Sequence, residues 1–249
     1  MGKQKQKFDI GNVSSLDHAR KAVKKYHPKD LISLNSLGEL TPPQKRFLEA
    51  YYTQKKIIAQ VGAAGTGKTL LALHSAMTEA FSNDTPHDHI KIIRSAAQTR
   101  EIGFTPGDVD EKLAPYDGAY RSLCDELIES YKSNNFDNMI AKGILSFEST
   151  SFLRGKTFDN TIVIFDEFQS ATFHEIMTVI TRLGVNSKII LCGDHRQNDL
   201  VKRNDKSGYH ELMDVFNRMP YGECAVIEYG VEDIVRSGIV KSFLTAVYE

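Results

Sequence analysis

The stretch Gly62-Ala63-Ala64-Gly65-Thr66-Gly67-Lys68-Thr69 lies between an apolar segment, KIIAQV (56–61), and a segment with helical periodicity, LLALHSAM (70–77). It fits the pattern G-x-x-x-x-G-K-[ST], in which glycines let backbone N–H groups curl around phosphate oxygens. The N-terminus of the following helix adds partial positive charge. Pattern and context together predict a phosphate-binding loop, with a plain glycine-rich turn as the alternative.

Two side chains of this stretch have predicted roles. Lys68 is expected to reach the β and γ phosphates of a nucleoside triphosphate, and the Thr69 hydroxyl is expected to ligate Mg²⁺. The predicted nucleotide-binding positions are Gly62, Ala63, Ala64, Gly65, Thr66, Gly67, Lys68, Thr69 and Leu70.

Short apolar runs alternate with longer helical segments along the rest of the chain. The runs predict strands at 57–61, 90–93, 161–165, 188–192 and 225–229. The clearest predicted helices are 43–53, 68–81, 119–131, 172–183, 208–217 and 233–247. Apolar strands that alternate with amphipathic helices indicate a parallel sheet covered on both faces. We therefore predict one α/β domain over 41–249, preceded by an N-terminal extension over 1–40.

Composition excludes several classes of protein. The chain has 249 residues, 41% of them hydrophobic, and a net charge of -1, so it is neither wholly disordered nor basic overall. Its three cysteines do not have the close spacing of a metal-binding motif, and their odd number leaves at least one thiol unpaired. Both features favour a reducing compartment. No apolar run reaches the length of a membrane span, and the polar N-terminus is not a secretory signal. We expect a cytoplasmic protein with no membrane partner.

Residues 1–30 carry a net charge of +5. This basic leader is either a solvated, partly frayed tail or an arm that reaches a phosphate backbone.

A second motif, Thr161-Ile162-Val163-Ile164-Phe165-Asp166-Glu167, ends a predicted buried strand with two carboxylates. Asp166 is expected to hold Mg²⁺, usually through water, and Glu167 to polarise the attacking water as a general base. The alternative is a solvated turn or helix N-terminus. A base beside the phosphates activates water, so the pattern favours hydrolysis over phosphate transfer to a metabolite.

Two glutamines are further candidates. Gln197 follows the strand at 188–192 and could touch the γ-phosphate or its attacking water; a polar loop is the alternative. Gln44 follows Thr41-Pro42-Pro43, and its amide could read adenine by donating to N7 and accepting from the exocyclic amine. The alternative for Gln44 is a surface helix residue.

These motifs resemble, in order, those of the PhoH-like ATPase family, which is related to superfamily 1 helicases. The matching segments are LTPPQ (40–44), GAAGTGKT (62–69), GFTPGD (103–108), EKLAPY (111–116), RGKTFDNTIVIFDEFQ (154–169), ITRLGVNSK (180–188), GDHRQNDL (193–200) and DIVRSGIV (233–240). The resemblance implies a single RecA-like P-loop NTPase domain, ATP binding and hydrolysis, RNA-linked activity and ring-shaped oligomers. The resemblance extends to Gln169 and Asp194. In its short length the chain resembles the phage-encoded branch of the family. The chain has Arg94-Ser95 where bacterial members usually have Arg-Pro.

Two loops are candidate nucleic-acid contacts. In helicases the loop at the end of the second strand contacts the backbone, which here points to Arg94, Ser95, Thr99 and Arg100. Arg154 and Lys156 lie in a second basic loop. Such groups donate to phosphates without reading sequence, so we expect RNA or single-stranded nucleic acid as the partner. Solvated loops are the alternative.

The catalytic arginine is expected from a second subunit. Superfamily 1 motors place ATP between two RecA-like domains, and this chain has room for one. Arg236 is the first candidate and Arg182 the second; either could instead form a surface salt bridge. The expected assembly is a closed homo-oligomer, a ring of six by resemblance. A nucleotide-dependent switch or scaffold that recruits a nuclease or another partner is the alternative function.

Overall fold

The computed structural model describes residues 33–53, 55–82, 84–95, 109–129, 135–194, 196 and 207–248. The basic leader and most of the predicted extension over 1–40 lie outside the described residues. So do Thr99, Arg100 and Gln197.

The described strands form a six-stranded parallel sheet and a two-stranded antiparallel pair. The large sheet has the order β5-β3-β6-β7-β2-β8. The strands are β1 (Ser33–Leu34), β2 (Ile57–Gly62), β3 (His89–Arg94), β4 (Ile128–Glu129), β5 (Leu145–Ser149), β6 (Thr161–Asp166), β7 (Lys188–Gly193) and β8 (Cys224–Tyr229). The short strands β1 and β4 form the antiparallel pair. The predicted parallel α/β sheet is confirmed, and all five predicted strands are present.

Seven α-helices connect the strands in the described part of the chain. They are α1 (Pro42–Tyr52), α2 (Lys68–Phe81), α3 (Val109–Leu127), α4 (Asn135–Ala141), α5 (Phe173–Ile180), α6 (Tyr209–Arg218) and α7 (Gly238–Tyr248). Helix α7 begins five residues later than predicted because Asp233 closes a turn onto the Gly230 amide at 2.9 Å. Among the described helices, none is long and apolar enough to cross a bilayer.

Helices cover both faces of the large sheet. On one face α1–α4 bury a core that includes Phe47, Leu73, Met77 and Phe136. On the other, α5 and α6 bury Ile176, Val179, Leu212 and Phe216. The central strands β2, β6 and β7 are buried at every residue, as expected for parallel strands between two helical layers.

The strand order determines where the motifs meet. Strand β7 lies between β2, which leads into the phosphate-binding loop, and β6, which ends at Asp166. Because all three strands are parallel, their carboxyl ends share one edge of the sheet, where ligands of open α/β sheets bind.

Candidate nucleotide site

The loop between β2 and α2 requires glycine at both of its ends. Gly62 has φ +129°, and a Cβ there would lie 2.0 Å from the Tyr229 carbonyl oxygen. Gly67, the N-cap of α2, has φ +79°, and a Cβ there would lie 3.2 Å from Gln44 Nε2. A side chain at Gly62 would collide with the backbone of β8, whereas at Gly67 the Gln44 side chain need only shift slightly and the left-handed φ is what favours glycine.

The Lys68 ammonium folds back onto the same loop. Its Nζ lies 2.9 Å from the Gly62 carbonyl oxygen, 2.7 Å from that of Ala63 and 3.3 Å from Thr66 Oγ1. Burial lowers the pKa of Lys68. A half-buried ammonium held by neutral oxygens can exchange them for the stronger charge-assisted bonds that a phosphate offers.

Thr69 and Asp166 join the two motifs. The Thr69 hydroxyl donates to Asp166 Oδ1 at 2.8 Å. The other carboxylate oxygen, Oδ2, accepts from Arg94 Nη2 at 2.9 Å and from the Tyr120 hydroxyl at 2.5 Å. Burial, with the charge of Asp166, raises the pKa of Tyr120 well above its ordinary value, so this hydroxyl stays protonated. Both carboxylate oxygens therefore have fixed partners.

The pair Thr69–Asp166 fits Mg²⁺ in the presence of a nucleotide. Hydroxyl and carboxylate oxygens are hard donors, and Mg²⁺ is commonly held by one or two protein oxygens together with substrate phosphates and water. No group of three His, Cys, Asp or Glu side chains suited to a metal occurs among the residues that the structure describes. The donor set is thus suited to a metal–nucleotide complex more than to a metal alone.

Glu167 lies beside Asp166 in a left-handed conformation, with φ +54°. Burial, reinforced by the charge of Asp166, raises the pKa of Glu167. Its Oε2 accepts a hydrogen bond from Gln169 Nε2 at 2.5 Å, and Gln169 Oε1 accepts from the Asp194 amide at 3.0 Å. Gln169 therefore holds the Glu167 carboxylate against the end of β7.

Gln44 is buried against the loop. Its Nε2 donates to the Thr66 carbonyl at 3.0 Å, and its Oε1 accepts from the Thr41 amide at 2.9 Å within the capping box of α1. The alternative of a surface helix residue is therefore wrong: Gln44 is 6% exposed. Its contact with adenine stays a prediction.

The last helix is attached to the loop through Tyr248. The Tyr248 hydroxyl accepts from the Ala64 amide at 2.9 Å and donates to Asp194. Arg196 Nη1 donates to the Tyr248 carbonyl at 2.5 Å. Sequence reasoning missed Tyr120 and Tyr248, because an isolated tyrosine in a helix carries no motif signal.

A family model described as PhoH-like protein matches residues 36–249. The chain belongs to the PhoH-like family. The expected resemblance is confirmed, and the match covers the whole six-stranded sheet.

Curated relatives with PhoH names are 29–34% identical to this chain over the aligned residues. A PhoH-like protein of Bacillus subtilis is 33% identical over 215 residues, covering 85% of this chain and 64% of the relative. The Protein PhoH of Escherichia coli K12 is 34% identical over 207 residues, covering 82% and 56%. A PhoH-like protein of Mycobacterium leprae is 29% identical over 230 residues, covering 89% and 63%. The chain thus spans less than two thirds of the length of these relatives.

Solved structures give more distant similarities. The large terminase of a thermophilic bacteriophage, in complex with ADP, has a TM-score of 0.47 at 15% identity, covering 85% of this chain and 50% of the terminase. The Pif1 helicase of Candida albicans has a TM-score of 0.34 at 13% identity, covering 78% and 40%.

The two candidate arginines of this PhoH-like chain lie in different places. Arg236 is exposed and lies beside the phosphate-binding loop of its own chain. Its Cγ is 3.0 Å from where a Cβ added to Gly65 would lie, and the Val235 amide donates to the Gly65 carbonyl at 3.0 Å. The Arg182 carbonyl accepts from the Phe158 amide at 2.8 Å, just before β6 begins. Arg182 therefore lies near the amino end of β6, whereas Asp166 is at its carboxyl end.

The predicted nucleic-acid residues divide into two groups. Arg94 is half-buried and pairs with Asp166, and Ser95, fully buried, donates to Glu175 at 3.2 Å. The burial of Ser95 is at odds with its predicted donation to a phosphate backbone, and the Arg94 guanidinium is directed to Asp166. Arg154 is exposed, and Lys156 is exposed while its Nζ contacts Glu148 at 2.7 Å.

Proposed function

We propose that this PhoH-like chain is a Mg²⁺-dependent ATPase that acts on RNA or single-stranded nucleic acid. The observation that carries the proposal is the 2.8 Å hydrogen bond from Thr69 to Asp166, which unites the phosphate loop with the acidic strand end. The two residues are 97 positions apart in sequence: Thr69 lies in the first turn of α2, which follows β2, and Asp166 ends β6, with β7 between these two strands.

In the proposed complex, the loop from Gly62 to Leu70 surrounds the phosphates. Lys68 leaves the Gly62 and Ala63 carbonyls for the β and γ phosphates, while Thr69 and Asp166 hold the metal. Bound Mg²⁺ neutralises charge on the phosphate oxygens. Gln44, whose amide bonds to Thr66 and Thr41, is proposed to contact the adenine ring as well.

Glu167 is proposed as the base. It orients a water and takes its proton as the water oxygen attacks the γ-phosphorus and the bond to the ADP oxygen breaks. Its raised pKa brings a carboxylate closer to the pH at which a base is efficient, and the bond from Gln169 fixes its direction. Gln197 stays a candidate contact of the γ-phosphate.

Arg94 and Tyr120 are proposed as positioning residues for Asp166. Tyr120→Phe removes one donor to Oδ2, and we expect the affinity of the protein–ADP complex for Mn²⁺ to fall roughly 10-fold or more, since a hydrogen bond to a charged group contributes about 1.5–3 kcal/mol. Mn²⁺ binding followed by electron paramagnetic resonance measures this directly. ADP affinity in EDTA should not change.

Tyr51→Phe is the matched control for that prediction. The Tyr51 hydroxyl is buried and donates to the Ser75 carbonyl at 3.2 Å, away from Asp166. Equal Mn²⁺ affinity in the Tyr120→Phe variant and the parental protein would remove Tyr120 from the metal site.

The polymer partner is proposed from the exposed basic loop with Arg154 and Lys156, and from the basic leader. The test is the ATPase rate with RNA, with single-stranded DNA and with no polymer. We expect stimulation by a polymer that weakens as salt rises, because phosphate contacts release counterions. A rate indifferent to every polymer would favour the nucleotide-dependent switch.

A ring with an arginine supplied by the neighbour is the proposed assembly, and Arg182 now becomes our first candidate for that arginine. Arg236 lies against its own loop, so we propose that it serves its own site and that Arg182 acts across the boundary. Mixing Lys68→Ala subunits with Arg182→Ala subunits should restore up to roughly a quarter of the parental rate, by random pairing around a closed ring.

The same mixture made with Arg236→Ala should show no recovery. Recovery with Arg236→Ala and none with Arg182→Ala, with subunit exchange confirmed, would reverse the assignment.

A further inference from the structure

The Glu175 carboxylate joins three elements at the carboxyl edge of the sheet. Its Oε1 accepts from the hydroxyl of Ser95, which directly follows β3, at 3.2 Å, and from the hydroxyl of Thr150, in the turn after β5, at 2.6 Å. Its Oε2 accepts from the Thr172 amide at 2.9 Å, in the capping box that starts α5. Ser95 and Thr150 are buried, where hydrogen bonds to a charged group are strong. One carboxylate therefore fixes two strand ends and a helix N-terminus relative to one another.

The Thr150 hydroxyl links Glu175 to the exposed basic loop. Thr150 begins the turn Thr150–Phe152, and Arg154 and Lys156 lie in the loop that follows the turn. Leu153, between turn and loop, is fully buried, and its carbonyl accepts from the Lys156 amide at 3.2 Å. Because turn and loop share this buried anchor, we expect a displacement of the loop to reach Thr150.

The Thr172 amide links Glu175 to the proposed base. Between Glu167 and Thr172 the chain makes one short turn, Phe168–Ser170, whose last amide donates to the Glu167 carbonyl at 3.0 Å. The phenylalanine of that turn is fully buried in the same apolar cluster as Leu153, so the two turns pack on a common core. The start of α5 is thus one turn away from the carboxylate that is proposed to activate water.

The Ser95 hydroxyl links Glu175 to the proposed metal ligand. Ser95 directly follows Arg94, whose guanidinium donates to Asp166 at 2.9 Å. Glu175 therefore contacts segments that hold both acidic groups of the proposed site, Asp166 through β3 and Glu167 through the start of α5.

We propose that Glu175 is a positioning residue that couples a polymer on the basic loop to Glu167 in the nucleotide site. The coupling rests on the proposed function and accounts for how the polymer changes the rate. Polymer phosphates that bind Arg154 and Lys156 shift the turn that contains Thr150, and the Glu175 carboxylate passes the shift to the start of α5. Coupling between two binding sites is reciprocal, so a bound nucleotide also changes the affinity for the polymer.

Thr150→Val and Thr150→Ser test the link with little change of shape. Valine keeps the branched side chain and removes the hydroxyl, whereas serine keeps the hydroxyl. The probe is poly(U) RNA or poly(dT) DNA, whichever stimulates the parental protein more. Measured by phosphate release, Thr150→Ser should be stimulated like the parental protein and Thr150→Val roughly 5-fold less or lower still, the lower end of the range for coupled sites. Both should keep the parental rate without polymer, because the capping box of α5 is intact.

Thr178→Val is the matched control. It is the same substitution on the same helix, at a hydroxyl that donates to the His174 carbonyl at 2.8 Å. Stimulation of this variant should be parental. Parental stimulation of Thr150→Val would overturn the coupling, as would an equal loss in Thr150→Ser or in Thr178→Val.

A double-mutant cycle tests whether the link runs through Glu175. Glu175→Ala should lose stimulation relative to its own rate without polymer, and Thr150→Val added to it should cause no further loss, since the two residues share one bond. Losses that multiply in the double variant would show that Thr150 acts without Glu175 and would overturn the assignment.

Polymer binding, measured with and without a non-hydrolysable ATP analogue, separates the coupling from the proposed ATPase. An analogue that changes polymer affinity in the parental protein and in Thr150→Ser, but not in Thr150→Val, supports the coupling even if no ATP is hydrolysed. Stimulated hydrolysis that is unchanged in Thr150→Val overturns the coupling and leaves the ATPase standing. A parental protein whose rate and polymer affinity show no dependence of one ligand on the other overturns the coupling together with the polymer part of the proposed function.

Discussion

Glu167→Gln should bind ATP as tightly as the parental protein and hydrolyse it about 10²–10⁴-fold more slowly, the range for loss of a general base. The amide has nearly the same shape as the carboxylate but cannot accept the proton of the attacking water. Because Glu167 lies half-buried beside Asp166, the substitution also removes a like charge, so binding should not suffer. Phosphate release and fluorescent-ATP binding measure the two effects separately.

Glu126→Gln is the control for this substitution, since Glu126 is an exposed glutamate on α3. It should hydrolyse ATP at the parental rate. Parental hydrolysis by Glu167→Gln would show that another group takes the proton.

Lys68→Ala should abolish tight ATP binding. The ammonium is the one cation within the described loop, at 2.7–2.9 Å from two loop carbonyls, and it is proposed to move onto the β and γ phosphates. Truncating one partner of a buried charged pair costs about 2–5 kcal/mol, which is a loss of roughly 30-fold or more in affinity. Calorimetric titration with ATP measures the loss.

Lys45→Ala, at an exposed position on α1, is the matched control and should bind ATP normally. Thermal unfolding must be measured alongside, because Lys68→Ala also removes the ammonium that donates to the Gly62 and Ala63 carbonyls. A Lys68→Ala variant that is folded and binds ATP with parental affinity would contradict the proposed site.

The fold was predictable where the residue pattern is local and strong. The buried strands β2, β6 and β7 are continuous apolar runs, and each was located from sequence within a residue or so. Strand β5 was missed, because LSFES mixes polar and apolar residues at a sheet edge where only its two ends are buried. The turn before α7 was also missed, since the apolar spacing of a helix continues through it.

The site was predictable only in part, for a physical reason. Lys68 and Thr69 belong to a motif that forms one local loop, and Asp166 belongs to a motif that forms the end of one strand. Tyr120 and Tyr248 reach the site from 46 and 184 residues away in sequence, through tertiary packing that no short pattern records. Arg94 was located correctly at the end of β3, but its inward direction depends on Asp166 in the neighbouring strand.

The most direct test of the ATPase proposal is a single-turnover experiment. ATP is bound to the unaltered protein in EDTA, excess Mg²⁺ is added, and free phosphate is followed in time. The account predicts that Mg²⁺ starts the release of one phosphate for each bound ATP. Bound ATP that remains intact after Mg²⁺ is added, with and without RNA or single-stranded DNA, would contradict it.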